Sequence, residues 1–290
     1  MNIKLDILRS FITVAECGNL QEASERLNRT PSAISMSLKQ LNAQLGVELF
    51  ETDRKSSLTP TGRFVLEKGR RALADFDESM STIVRYANGE TGIVRIATVP
   101  SVATRLLPAV VRKFLETAPN VRLELRDTDS EMVAAAVRNG SVDCGIASLS
   151  VASDDLSCEL LLEEPFGLVC RPDHPLAQTK QPLPWKLLEG VSFISNGLCA
   201  QIHDEDFNRI NRSTAIQVHN IATLLSFIQQ GMGVTLLPQL AVPEQNDFSF
   251  IPLADKTAVR QLYFLQQKHH RISPATLAFK EKIIASVEQS

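Results

Sequence analysis

Four side chains near the N-terminus of this 290-residue chain have the types and the spacing of a surface that contacts nucleic acid. They are Ser32, Ser35, Met36 and Lys39. They recur at i, i+3, i+4 and i+7, so a helix would place all four on one side. Hydroxyl groups and one ammonium group can bind phosphates and base edges in the major groove of DNA. The negative charge of DNA would repel a bulky acidic side chain at the same place. A solvated helix face would show the same pattern, so the surrounding elements have to decide between the two interpretations.

The segments around this face are typical of a helix-turn-helix. Helical periodicity of apolar residues predicts helices over 5–16, 20–27 and 31–45. Thr30 is a good N-cap for the third helix, and Pro31 suits its first position because that N–H has no helical partner. Only three residues separate the second and third helices, as in the DNA-binding motif. The apolar stripe of the third helix would hold it to the other two, leaving the polar face outward.

A charged segment after the third helix predicts a β-wing. Short β segments over 47–50 and 56–58 flank residues 51–55, whose basic side chains would meet phosphates beside the groove. A solvated loop is the alternative interpretation. The predicted contacts to base edges or adjacent phosphates are Ser32, Ala33, Ser35, Met36 and Lys39, and those to phosphates are Thr30, Arg54, Lys55 and Thr59.

A heptad pattern in residues 63–89 predicts a long linker helix that dimerises. Apolar residues recur every seven positions in two rows, with charged residues outside them, which is typical of a short coiled coil. Gly69 and Ala87 weaken the packing of their layers, so we expect a modest dimer from this helix alone. The predicted dimer contacts are Leu66, Leu73, Phe76, Met80 and Ile83.

From residue 90 onward, strand and helix patterns alternate, which predicts an α/β body with mostly parallel sheets. Two groups of strands and helices, separated near Glu164, indicate two lobes with a cleft between them. We assign lobe I to 90–163 and 267–290, and lobe II to 164–266. The expected domains are therefore a DNA-binding head over 1–62, a linker helix over 63–89 and a ligand-binding body over 90–290.

Hydroxyl-bearing residues at the ends of predicted strands suit a small effector in this cleft. Ser101 lies in the first strand–helix turn, and Ser130 is placed to cap the helix after the second strand. Such groups bind a carboxylate or another anion, although both serines could do no more than cap helices. Obvious fixed cations are few, so a small polar or partly apolar ligand fits equally well. The predicted effector contacts are Val99, Pro100, Ser101, Val102, Ser130, Asn196, Cys199, His219 and Asn220.

The other reactive residues indicate neither catalysis nor a metal site. The sequence contains no P-loop, no G-x-S-x-G and no H-E-x-x-H, so we expect no enzyme activity, metal or cofactor. Five cysteines without a C-x-x-C pair indicate reduced thiols. Cys199 falls in a predicted cleft segment, so thiol sensing is an alternative, but no second cysteine lies near it in sequence to resolve a sulfenic acid.

Charge is distributed unevenly along the chain, whose net charge is −3. Residues 1–63 hold eight basic and seven acidic residues, whereas residues 89–290 hold eighteen and twenty-two. This difference has the sign expected of a DNA-binding head on an acidic body. No apolar stretch approaches the roughly 18 residues of a transmembrane helix, and Lys4 and Asp6 lie where a signal peptide would be apolar. We expect a cytoplasmic protein without a membrane partner.

Several motifs together resemble those of LysR-type transcriptional regulators, and the resemblance covers essentially the whole chain. In the head they are Ala23-(x)3-Leu27, Pro31-Ser32-Ala33-Ile34-Ser35, Leu49-Phe50 and Leu58-Thr59-Pro60-Thr61-Gly62. In the body they are Leu106-Leu107-Pro108, Gly140-(x)2-Asp143-(x)-Gly145-Ile146 and Gly231-Met232-Gly233-Val234-(x)2-Leu237-Pro238. Pro31, Asn42 and Thr52 depart from the family pattern, in which glutamine, glutamate and arginine are commoner.

The resemblance implies a winged helix-turn-helix, a linker-helix dimer that usually forms a tetramer, and an effector domain like a periplasmic solute-binding protein. It also implies binding to double-stranded DNA at a dyad operator, with a small effector that changes DNA bending and RNA polymerase recruitment. A solute-binding or enzymatic two-lobed α/β protein with an incidental helical N-terminal domain is the alternative. The first 62 residues favour the regulator, because a transport protein would need a secretion signal there.

Overall fold

The computed structural model describes residues 3–51, 55–149, 154–179, 181–244 and 247–289. The chain divides into two compact units, Met1–Arg85 and Tyr86–Ser290. Within the described ranges, every helix is too short or too polar to span a bilayer.

The first unit is helical and has one apolar core. Its helices are α1 (Leu5–Cys17), α2 (Leu20–Leu27), α3 (Pro31–Leu45) and α4, which runs from Pro60 to Ala87 and so into the second unit. The three helices predicted in the head are confirmed. Phe11, Ile34 and Leu41 are fully buried, and the rings of Phe11 and Phe50 pack in a T-shaped arrangement. Burial of each such side chain contributes roughly 1.5–3 kcal/mol, which holds α1 and α3 together.

Polar side chains determine where α2 and α3 begin. Asn19 Oδ1 accepts the N–H of Glu22 at 2.8 Å, and Thr30 Oγ1 accepts the N–H of Ala33 at 3.3 Å. Asn28 adopts a left-handed conformation with φ of 50°, which ends α2 and reverses the chain. The short turn between α2 and α3 is therefore encoded locally.

The predicted wing is smaller than expected. Phe50 and Leu58 form a single antiparallel bridge in place of two strands. Residues 52–54, which include the predicted phosphate contact Arg54, lie outside the described residues.

Thr59 and Gly62 join the wing to the first turn of α4. The Thr59 hydroxyl donates to the carbonyl of Glu48 and accepts the N–H of Gly62, both at 2.9 Å. A Cβ on Gly62 would lie 2.1 Å from the carbonyl oxygen of Leu49, so only glycine allows this approach of helix and wing.

The second unit alternates strands and helices, as predicted. In chain order it contains β1 (Thr91–Thr98), α5 (Pro100–Arg105), α6 (Leu107–Thr117), β2 (Asn120–Asp127), α7 (Ser130–Arg138), β3 (Cys144–Ala147), β4 (Leu156–Cys170), β5 (Ile194–Asn196), α8 (Glu205–Arg212), β6 (Ile216–Val218), α9 (Ile221–Gln229), β7 (Thr235–Pro238), β8 (Ser249–Pro252), β9 (Val259–Gln267) and α10 (Pro274–Glu288). Short 3-10 helices occupy Pro175–Gln178, Trp185–Leu188, Gly197–Gln201 and Gln239–Ala241.

The main sheet is mixed rather than mostly parallel, which corrects the sequence prediction. Its strand order is β2-β1-β3-β9-β4-β7, and β8 also pairs with β4. Strand β1 is parallel to β2 and β3, whereas β4 and β9 are antiparallel to all their partners. Alternation of strand and helix reveals direction only where a helix crosses over between strands, and no described helix lies between β3 and β4. The α/β class and the two-lobed body are confirmed.

Strands β4 and β9 pass between the lobes. Leu156 of β4 packs in the apolar core of lobe I, whereas Phe166 of the same strand packs in a core of lobe II. Leu262 and Phe264 of β9 also belong to the lobe I core. Strand β9 therefore enters lobe I earlier than the expected border at residue 266.

Candidate DNA-binding surface and effector site

Helix α3 presents the predicted polar face outward. Met36 is 69% exposed, and Ser32 and Lys39 are exposed as well. Ala33 and Ser35 are half-buried at the edge of the same face. The opposite side carries the apolar residues that hold α3 in the core, so the orientation needed for DNA contact is present.

The described residues among the predicted phosphate contacts already make contacts within the chain. The hydroxyls of Thr30 and Thr59 cap α3 and α4, so each is engaged within the chain. Lys55 is half-buried at a positive φ of 59°, with its ammonium 5.3 Å from the centre of the Phe50 ring. Such a cation–π contact holds the side chain of Lys55 against Phe50, within the wing.

The predicted heptad rows of α4 divide into a buried and an exposed part. Leu73 is buried and Leu66 half-buried in the core of the first unit, and a Cβ on Gly69 would come within 3.0 Å of Leu8 in α1. Leu73 therefore packs inside one chain and has almost no surface left for a dimer contact, whereas Leu66 keeps part of its surface exposed. The large apolar members of the rows that stay exposed are Phe76, Met80 and Ile83.

Ion pairs orient α4 against α1. Arg9 donates two hydrogen bonds to Asp77, at 2.7 and 3.1 Å, and thereby lowers the pKa of Asp77. Glu16 accepts hydrogen bonds from Arg70 at 3.0 Å and from Arg26 at 3.2 Å. Because these ion pairs are exposed, each contributes little to the free energy of unfolding. Their main effect is to orient the helices that they join.

The carboxyl ends of three parallel strands bring serines together in lobe I. Ser101 follows β1, Ser130 follows β2 and Ser148 follows β3, at the edge where α/β proteins bind ligands. Ser130 Oγ accepts the N–H of Ser148 at 3.3 Å. Asp129, and not Ser130, caps α7 by accepting the N–H of Met132 at 2.9 Å. The hydroxyl of Ser130 is thus directed to the serine cluster, contrary to the capping role expected for it.

A buried arginine that sequence reasoning missed links these serines. Arg260 donates from Nε to Ser148 Oγ and from Nη1 to Ser101 Oγ, each at 3.0 Å. It is 1% exposed, and burial lowers its pKa. In β9 it occupies the same face as Leu262 and Phe264, and all three side chains are buried. That period of two is the signal that could have located it.

Glu164 supplies the countercharge. Its Oε1 lies 3.4 Å from Nη1 of Arg260, and its Oε2 accepts the N–H of Leu240 at 2.7 Å. Burial raises the pKa of Glu164, and both contacts partly oppose that rise. The predicted cleft therefore holds a fixed cation after all, paired with a carboxylate of the chain.

Two of the predicted effector contacts in lobe II, Asn196 and Cys199, are buried side chains that pack or bond within the chain. Asn196 Nδ2 donates to Thr235 Oγ1 and to the carbonyl of Leu236, both at 2.9 Å. Its Oδ1 accepts the N–H of Leu198 at 2.9 Å, which gives Asn196 a structural role. Cys199 is 1% exposed, and burial raises its pKa to about 11.

The remaining predicted effector contacts follow β1 and β6. Val99 and Val102 are buried beside Ser101, and Pro100 is exposed. His219 and Asn220 are exposed, and Asn220 caps α9 through a 3.1 Å hydrogen bond from a backbone N–H. Lobe II thus offers His219 and Asn220 as its accessible candidates.

A cavity of about 530 Å³ in lobe II contains none of the predicted effector residues. It lies at the amino ends of β5 and β6, next to Ser192 and Ala215, at the opposite end from the predicted contacts. Its charged residues are Glu189, Asp206 and Arg209, and Asp206 pairs with Arg209. The cation on its wall is thus already paired, whereas the serine–arginine cluster combines a buried cation with several hydroxyl groups. Among the described residues, no group of His, Cys, Asp and Glu side chains could hold a metal ion.

Comparison with protein families finds matches along nearly all of the chain. Residues 5–63 match the model "Bacterial regulatory helix-turn-helix protein, lysR family", and residues 87–287 match "LysR substrate binding domain". The uncharacterized HTH-type transcriptional regulator YbhD of Escherichia coli (strain K12) is 30% identical in sequence, and the alignment covers 96% of this chain and 90% of YbhD. The HTH-type transcriptional regulator CitR of Bacillus subtilis (strain 168) is 27% identical, over 88% and 87%.

Solved structures share the fold. The crystal structure of CbnR, a LysR family transcriptional regulator, matches with a TM-score of 0.73 and 21% identity over 97% of this chain and 99% of that chain. Full-length CbnR complexed with its target DNA matches with a TM-score of 0.72 and 21% identity over 98% and 99%.

Proposed function

This chain belongs to the LysR family of bacterial transcriptional regulators, and we propose that the outward face of α3 reads its operator. As a member, it is a sequence-specific DNA-binding regulator with an effector-binding domain, and it is not an enzyme. The observation that carries the proposal is the exposure of Ser32, Met36 and Lys39 on a helix whose apolar side is buried.

The proposed contacts are of two kinds. Small side chains let α3 approach the floor of the major groove, where hydroxyls bond base edges and apolar groups meet thymine methyls. The base-edge set is Ser32, Ala33, Ser35 and Met36, with Lys39 at an adjacent phosphate. Arg54 and Lys55 of the wing would neutralise phosphates beside the groove, and Thr30 and Thr59 would support these contacts from the caps.

A salt titration of operator binding tests this surface. Lys39→Ala is expected to weaken binding to DNA from upstream of the protein's own gene and to reduce the salt slope by about 1, because one phosphate contact is lost. Lys186→Ala removes an exposed lysine of the second unit and should leave the slope unchanged. An unchanged slope in Lys39→Ala would remove Lys39 from the interface, and salt-insensitive binding by the wild type would overturn the DNA-reading surface.

We further propose how the protein assembles and where it acts. LysR regulators form oligomers, and the exposed row of α4 would pair with the same row of a second chain. Such a dimer presents two copies of α3 to a dyad operator, with half-sites about 34 Å or multiples of it apart. A tetramer would join two dimers, RNA polymerase would be a further partner, and the operator would place the protein in the cytoplasm.

We infer that the effector binds where Ser101, Ser130 and Ser148 meet, with His219 and Asn220 as contacts from lobe II. The support is their position at the carboxyl ends of strands together with the hydrogen bonds that join the serines. A carboxylate is among the ligands that fit. Footprints with and without candidate metabolites test the effector role.

A further inference from the structure

Two charged side chains are buried opposite each other where β4 and β9 pass between the lobes. Glu164 and Arg260 are register partners on these antiparallel strands, and they are 5% and 1% exposed. An apolar pair of similar volume would fill such a place at least as well. The charges therefore point to a chemical role rather than to core stability.

The guanidinium is not saturated by Glu164. A carboxylate binds arginine best through two parallel N–H···O bonds, whereas here one Nη1 contact of 3.4 Å is made. The other oxygen of Glu164 is turned away, to the N–H of Leu240. An oxyanion that accepted two parallel N–H···O bonds from the guanidinium would bind Arg260 more strongly than Glu164 does.

The surroundings of Arg260 also suit an anion. The hydroxyls of Ser101 and Ser148 accept hydrogen bonds from Arg260, and each keeps its own O–H as a donor. Ser130, which is half-buried, bonds to the backbone of Ser148. A row of hydroxyl groups thus leads from the half-buried Ser130 to the buried cation.

We propose that Arg260 is the anion receptor of the effector site and that Glu164 occupies it when no ligand is bound. The effector is then a small carboxylate or another oxyanion, which replaces Glu164 at the guanidinium and accepts hydrogen bonds from Ser101 and Ser148. The proposal rests on the effector-binding role proposed above. A cationic ligand would be repelled by Arg260, and an uncharged one would leave the internal pair intact.

Rescue by acetate tests the receptor without knowledge of the natural effector. In the full-length Glu164→Gln variant, the guanidinium lacks its carboxylate, so acetate should bind there. Its unfolding midpoint should be about 2–4 °C higher in potassium acetate than in potassium chloride of equal ionic strength, which corresponds to acetate at a few times its Kd. Wild type should rise less, because Glu164 competes. Glu163→Gln, which removes an exposed neighbouring carboxylate, should behave as the wild type.

The double variant Glu164→Gln/Arg260→Gln removes the receptor and leaves two uncharged amide side chains in place of the buried pair. It should show no rise specific to acetate, and a rise equal to that of Glu164→Gln would overturn the proposal. Equal responses of Glu164→Gln and the wild type would overturn it too, because the pair would then be closed to solutes. If Glu164→Gln does not fold, the wild type is compared with the double variant. A larger rise of the unfolding midpoint in acetate for the wild type than for the double variant supports Arg260 as the receptor. An equal rise in both proteins refutes the proposal.

This test is independent of the operator titration because its readout involves no DNA. Absence of acetate rescue would overturn the anion receptor and leave the DNA-reading role of α3 standing. Absence of operator binding would overturn that role and leave the acetate result as proof of an anion site.

Discussion

Glu164 and Arg260 share one buried environment, and each affects the charge state of the other. Burial disfavours both charged forms, so the pKa of Glu164 is raised and that of Arg260 is lowered. Arg260 is the charged group that faces Glu164, and the N–H of Leu240 is the neutral donor. Loss of Arg260 would remove one of the two interactions that oppose the rise in the pKa of Glu164.

Arg260→Gln is therefore expected to destabilise the protein in a pH-dependent way. At about pH 7 the free energy of unfolding should fall by roughly 3–5 kcal/mol, because a buried carboxylate is left unpaired. With its pKa raised in the folded state, Glu164 costs stability while it is ionised, and this cost disappears as the pH falls and the group takes a proton. Urea denaturation should show a deficit relative to wild type that shrinks at about pH 5.

The matched control for this prediction is Arg112→Gln, which removes an exposed arginine from α6 and should cost little at either pH. A deficit of Arg260→Gln that stays constant with pH would contradict the buried ionised state of Glu164.

Cys199 shows that position in a cleft segment does not make a thiol reactive. The sequence located it correctly next to the end of β5, but it could not show that the short 3-10 helix turns the side chain inward. With 1% exposure and a pKa raised to about 11 by burial, the group stays a protonated thiol near neutral pH. Because the thiolate is the species that reacts with oxidants, we interpret Cys199 as a core residue.

Helices of the head were predictable because their signals are local. Caps such as Thr30 and turn residues such as Asn28 act within a few positions of themselves. The heptad rows of α4 were predicted equally well. A heptad row shows that apolar residues share one face, but it does not show whether the same chain or a second chain covers that face. Leu73 belongs to the same row as Met80, yet α1 of the same chain covers Leu73 and leaves Met80 exposed.

Gly62→Ala tests the junction between the wing and α4. The added Cβ would lie 2.1 Å from the carbonyl oxygen of Leu49, which is backbone and cannot turn aside. We expect the free energy of unfolding to fall by about 1–3 kcal/mol, as for overpacking, and operator binding to weaken because the wing is displaced. Urea denaturation and the operator titration measure the two effects.

Gly197→Ala is the control for this change, because an added Cβ there meets nothing within 4 Å. Wild-type stability and DNA affinity in Gly62→Ala would show that the wing adapts and that the close approach is not required.

The sheet was less predictable than the helices because its pairings join distant parts of the chain. The partners of β4 on β9 are about a hundred positions away in sequence, and no short motif encodes that register. Arg260 was missed for the same reason, since its role depends on Ser101 and Ser148, which follow other strands. The serines themselves were predictable in part, because strand ends are marked by turn residues.

In the first unit, the described surface of α4 leaves an apolar row without a partner. Phe76, Met80 and Ile83 are 39%, 41% and 58% exposed, and Val84 beside them is 52% exposed. Exposed apolar side chains grouped on one helix face are typical of a protein–protein contact. A second copy, related by a two-fold axis, would cover it with the same row in the proposed dimer, and that pairing would set the distance between two copies of α3.

Ile83→Asp is expected to weaken this dimer by roughly 100-fold in Kd, because each chain loses about 1.5 kcal/mol of apolar burial. Sedimentation velocity measures the dissociation, and operator affinity should fall with it because a monomer contacts one half-site only. Ser81→Asp places the same charge about 160° around α4 from Ile83, on an exposed position, and should leave the dimer intact. If Ser81→Asp dissociated the protein while Ile83→Asp did not, the contact would lie on the opposite side of α4, and the apolar row would need another explanation.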